Sequence, residues 1–94
     1  MKSGIERHRR KIDRLDRRVA KLLAKRFRQV VRIGRVKREN KTDVRDKTRE
    51  GEVLERIDSV VDDGRARIFV RNVFRGIIEE SSRVQREGED WTER

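Results

Sequence analysis

The chain has no cysteine, and so can build neither a disulfide framework nor a thiolate metal site or nucleophile. It also lacks proline, so nothing of that kind breaks a helix anywhere along its 94 residues. Aromatic residues are scarce, and the single histidine, His8, leaves any metal site to be built from carboxylates. A lone histidine near a terminus is an ordinary solvated residue, and His8 is given no role. No apolar stretch exceeds a few residues, which excludes a transmembrane helix. The basic N-terminal segment has no signal-peptide core, and the expected compartment is the cytoplasm. Only 32% of residues are apolar while 49% are charged, a balance that leans toward disorder unless a partner shares the core.

What is present is charge, unevenly placed. Residues 1–40 contain 16 Lys and Arg against 4 Asp and Glu, whereas residues 41–94 are slightly acidic. The net +10 therefore belongs to one segment and marks a surface for anions, small or polymeric.

The periodicity predicts an all-α single domain of three helices spanning 1–94. A first helix over 5–40 has a heptad seam of Ile5, Ile12, Leu15, Val19, Leu22, Ile33 and Val36, flanked by Leu23, Phe27 and Val30. Such a helix would be about 50 Å long, more than a compact domain of this size is wide. It must project beyond its own fold, and something else must cover its far end. A second helix over 46–63 carries Val53, Leu54, Ile57, Val60 and Val61 on one stripe. Asp43 or Asp46 is its expected cap, and Asp62-Asp63-Gly64 its stop. A third over 66–86 turns Val70, Val73, Phe74, Ile77 and Ile78 inward. Residues 87–94 have no periodicity and are expected to form a disordered tail.

Function is suggested by the places where these stripes turn polar. Arg26 replaces an aliphatic residue in the heptad position of Ile12, Val19 and Ile33. Glu50 continues the line of Leu54, Ile57 and Val61, and Ser81 and Gln85 extend the apolar face of the third helix. Lys37 follows Arg26 by close to three full turns, so the two cations share a face roughly 16 Å apart. Together these interruptions favour a polar, cationic pocket within a helical bundle. A small anionic ligand would satisfy cations that have few acids of their own helix to pair with.

The strings RRKIDRLDRRVAKLLAKR, GRVK, VRDKTRE and IIEESSRVQ, in that order and spacing, resemble the all-helical, class II chorismate mutases. The resemblance runs from about Arg7 to Arg86. Each string alone is an ordinary helix fragment; the ordered set, with D-x-x-R-E ahead of I-I-E-E-S-x-x-x-Q, is specific. It departs from the pattern in having Lys41-Thr42-Asp43-Val44 where proline is common, and glycines at 51 and 76 within helices.

The resemblance implies an isomerase of aromatic amino-acid biosynthesis, converting chorismate to prephenate by a pericyclic rearrangement with no cofactor, metal or covalent intermediate. It implies an intertwined homodimer and a substrate site of Arg9, Arg26, Lys37, Asp46, Arg49, Glu50, Ser81 and Gln85. Arg26 and Arg9 would hold the two carboxylates, and Lys37 and Gln85 would donate to the ether oxygen of the breaking bond. Glu50, near the backbone of Asp46, would accept from the ring hydroxyl; Ser81 would help hold the ring carboxylate, and Arg49 would line the pocket. Arg9 and Arg26 stand roughly 25 Å apart on one straight helix, so both can touch one small substrate only if Arg9 comes from the other protomer.

Two other readings compete. A basic helical nucleic-acid-binding protein fits the net charge, but the chain lacks stacking aromatics and a helix-turn-helix turn. Charge-driven, non-specific binding to nucleic acid is compatible with the enzyme reading. A purely structural coiled coil fits the seam but not Arg26 within it.

Overall fold

A computed structural model of the chain describes residues 4–88. The three expected helices are present: α1 (Gly4–Glu39), α2 (Lys47–Val60) and α3 (Gly64–Glu87). No strand occurs among the described residues, and none of the described helices is long and apolar enough to cross a membrane. Of the expected tail, Glu87 closes α3 and Gly88 follows it; the rest lies outside the described residues.

The junctions follow from local chemistry. Lys41, at φ 54°, takes the left-handed conformation that reverses the chain after α1. The amide of Thr42 donates to the Lys37 carbonyl at 2.8 Å and that of Lys41 to the Arg38 carbonyl at 3.2 Å, satisfying the orphan carbonyls of the helix end. Asp46, not Asp43, caps α2, its Oδ1 accepting from the Arg49 amide at 3.0 Å.

The α2–α3 junction differs from the sequence reading. Helix α2 stops at Val60, three residues earlier than expected, and α3 begins at Gly64 rather than Ala66. Asp63 is the reason: its carboxylate accepts from the amides of Arg65 at 2.9 Å and Ala66 at 3.5 Å. A carboxylate is favourable at a helix N-terminus and unfavourable at a C-terminus, so the acidic pair starts α3 instead of ending α2. Arg67 reaches back to the carbonyls of Val61 and Asp62 in the turn between the two helices.

Helix α3 packs against both of the others. The core is small: Val30 and Val31 of α1 meet Val84 of α3 beside Phe27, and Ile78 is buried nearby. Gly34 lets α1 and α3 approach closely, since a Cβ there would lie 3.3 Å from Gln85 Cγ. Two residues expected to face inward do not. Val60, in the last turn of α2, is 74% exposed, and Val73 is 49% exposed beside an uncovered groove. The seam residues Ile5, Ile12, Leu15, Val19, Leu22, Ile33 and Val36 are likewise all exposed in the single chain.

Candidate functional site

The C-terminal half of α1, the start of α2 and the last turns of α3 enclose a cavity of about 230 Å³. Arg26, Lys37, Asp46, Arg49, Glu50, Ser81 and Gln85 all line it, with an apolar wall of Val30, Ile33, Val53 and Ile78. Seven of the eight residues singled out from the sequence are thus brought to one place. Arg9 is not: it is exposed on the projecting part of α1, 3.9 Å from Glu6.

Each polar side chain is held by a partner. Arg26 is half-buried and donates through Nη1 to Ser81 Oγ at 2.5 Å, and that hydroxyl donates to the Ile77 carbonyl one turn back on α3. Burial, and secondly the charge of Arg49, hold the Arg26 guanidinium below its ordinary value, which still leaves it cationic. Lys37 Nζ donates to Gln85 Oε1 at 3.0 Å and to the Val44 carbonyl at 2.6 Å. One ammonium thereby ties the end of α1 to α3 and to the α1–α2 loop. Gln85 is buried, and its amide oxygen is committed to Lys37, which leaves its NH₂ as the group for a ligand.

The carboxylates are less free than the sequence suggests. Asp46 spends one oxygen on the α2 cap, and its backbone carbonyl receives the Glu50 amide at 3.0 Å. Glu50 is gripped by Arg45, at 2.7 Å from Nε and 3.0 Å from Nη2. With the Glu50 charge balanced by Arg45, Arg26, Lys37 and Arg49 outweigh Asp46 and leave the cavity with an excess of positive charge. The Arg49 guanidinium is more exposed, 3.7 Å from Glu52.

Some participants escaped the sequence reading. The Val44 carbonyl carries no side-chain signal at all. Arg45 stood inside the V-R-D-K-T-R-E string, one arginine among many. Ser82, buried and lining the cavity, was overshadowed by Ser81 beside it. Gly34 is the one glycine in the interior of α1, a helix otherwise rich in long side chains.

A second, more apolar groove of about 480 Å³ adjoins the first, lined by Leu23, Phe27, Val73 and Ile77 and sharing Arg26 and Ser81 with it. None of the described residues covers it. Among curated proteins none matches the chain. The family described as chorismate mutase type II matches residues 8–86, a stretch that contains all eight candidate residues, and the chain belongs to that family.

Proposed function

We propose that the cavity between the three helices is where this chorismate mutase holds chorismate and that its lining residues carry the rearrangement to prephenate. The observation that bears most weight is the Lys37–Gln85 pair, 48 residues apart in sequence and joined at 3.0 Å on the border of a cationic cavity. Chorismate is a dianion whose ether C–O bond breaks as a new C–C bond forms. Negative charge grows on the ether oxygen in the transition state, and fixed donors stabilise it more there than in the ground state.

Lys37 has three N–H groups. Two go to Gln85 and Val44, and the third is the one it offers to the ether oxygen. Gln85 adds an amide N–H beside it. Arg26 holds one carboxylate, with Ser81 helping to hold the one on the ring; Glu50, near the Asp46 backbone, accepts from the ring hydroxyl, and Arg49 closes the wall. No group in this set has to transfer a proton. The site acts by holding the flexible substrate in its compact reactive shape and by placing positive charge in advance.

The second carboxylate is held by Arg9 of a second copy of the chain, in a homodimer with two composite sites. Three features support this. Arg9 lies far along α1 from the cavity of its own chain. The heptad seam is exposed along almost the whole length of α1. An uncovered apolar groove borders the cavity at Arg26. The same reading places the enzyme in the cytoplasm.

The test is Lys37→Met. A charge placed at the breaking bond contributes a few kcal/mol, chiefly to the transition state. The expected result is a fall in kcat and kcat/KM, followed by loss of chorismate absorbance, of at least about 100-fold with helical circular dichroism unchanged. Activity within about threefold of the parent would remove Lys37 from the site.

A further inference from the structure

We infer that Arg45 is a positioning residue of the active site, a clamp that fixes the Glu50 carboxylate in the orientation that substrate binding requires. The inference rests on the reading of Glu50 as the acceptor of the substrate's ring hydroxyl. Arg45 lies in the loop between α1 and α2 and does not line the cavity. Its guanidinium uses all three nitrogens. Nε and Nη2 lie 2.7 and 3.0 Å from the two oxygens of Glu50, and Nη1 lies 2.8 Å from Glu79 Oε2 on α3.

The two contacts differ in surroundings. The Glu50 side chain is 22% exposed and that of Glu79 61%, so the fork toward Glu50 is the better shielded from water. A bidentate fork removes the rotation that a glutamate side chain otherwise keeps, and Glu79 anchors the fork itself to α3. Each Glu50 oxygen spends one acceptor direction on Arg45 and retains another for a hydroxyl. The pairing also screens the carboxylate, which would otherwise repel a dianion entering the cavity. Lysine cannot replace this arrangement, because a point charge on a flexible stem does not lock two oxygens at once.

A double-mutant cycle on the full-length protein, with kcat/KM for chorismate as readout, tests the clamp. Arg45→Met is expected to lower kcat/KM by about tenfold or more in the parent, and by less than about threefold in a Glu50→Ala background. Arg45→Lys should behave as Arg45→Met does in both backgrounds, and it takes that variant's place if the methionine protein loses its helical circular dichroism. A loop-folding role for Arg45 would cost as much without Glu50 as with it, and equal losses in the two backgrounds would overturn the proposal. If Glu50→Ala itself leaves kcat/KM within about threefold of the parent, the role of Glu50 falls and the clamp falls with it. If Glu50→Ala is damaging but shows no coupling to position 45, only the clamp falls.

Discussion

A lysine in the last turn of a helix is ordinarily a solvated charge that favours the helix dipole. Lys37 is instead half-buried and directed by two oxygens, and what it does to Gln85 matters as much as its own charge. By drawing the amide oxygen to itself, it fixes which end of Gln85 is presented to a ligand. An amide does not titrate, so the parent's kcat should stay nearly level across mildly acidic and alkaline pH. Glutamate has almost the same shape but donates only when protonated. In Gln85→Glu the bound dianion raises the carboxyl above its ordinary value near 4.3, and Lys37 offsets part of that rise. Activity of Gln85→Glu should therefore be highest at the acidic end and fall as pH climbs through the raised value, where the carboxylate begins to repel the ether oxygen. A pH–rate profile from about 4.5 to 8.5 checks this, and a Gln85→Glu curve that overlays the parent's would contradict it.

Among elements, α3 decides the geometry of the site, because Ser81, Ser82 and Gln85 all face the cavity from its last turns. Its position is set by the close approach at Gly34, whose absent side chain leaves room for Gln85 Cγ and Cα. Arg38, one turn further along α1, donates toward the Gln85 and Gly88 carbonyls and closes the C-terminal end of α3. In Gly34→Ala, the gain of about 1 kcal/mol in helix propensity is offset by overpacking of similar size. Stability should change little, while Gln85 shifts by a few tenths of an ångström and kcat falls by roughly tenfold. A thermal melt and steady-state kinetics on the one variant separate the two effects; unchanged kcat would mean that the approach at Gly34 does not position Gln85. The helices themselves were legible from the 3.6-residue period, and the seven candidate residues that line the cavity from stripe interruptions and motif order. What the sequence concealed is informative. Asp63 reads equally well as a stop and as a start until its oxygen is seen on the Ala66 amide. Backbone acceptors such as Val44 have no side-chain signature. Arg45 cannot be told from other surface arginines until the loop brings it against Glu50 and Glu79.

On the scale of the whole molecule, the single chain buries too little. It exposes 8048 Å² where a compact monomer of 11.3 kDa would expose about 5700 Å². Its radius of gyration is 16.7 Å, against about 12 Å for a compact domain of this length, and its longest dimension is 59 Å, a little more than the roughly 54 Å of a straight helix with the 36 residues of α1. The excess surface is of the size that obligate dimers bury, and much of its apolar part lies on the α1 seam and the groove beside Arg26. A second copy laid along that seam would cover apolar surface and carry its own Arg9 toward the cavity, so folding and catalysis would depend on the same contact. The most direct measurement of whether two chains build one site is complementation between two inactive proteins. In the proposed homodimer, the Arg9→Ala and Arg26→Ala proteins would each lack one carboxylate clamp in both sites. After subunit exchange, half of the protein is heterodimer, and each heterodimer carries one site with both arginines and one with neither. Activity should therefore return to about a quarter of the parent's at equal total protein. No recovery after exchange has been demonstrated with differently labelled subunits would contradict a site built from two chains.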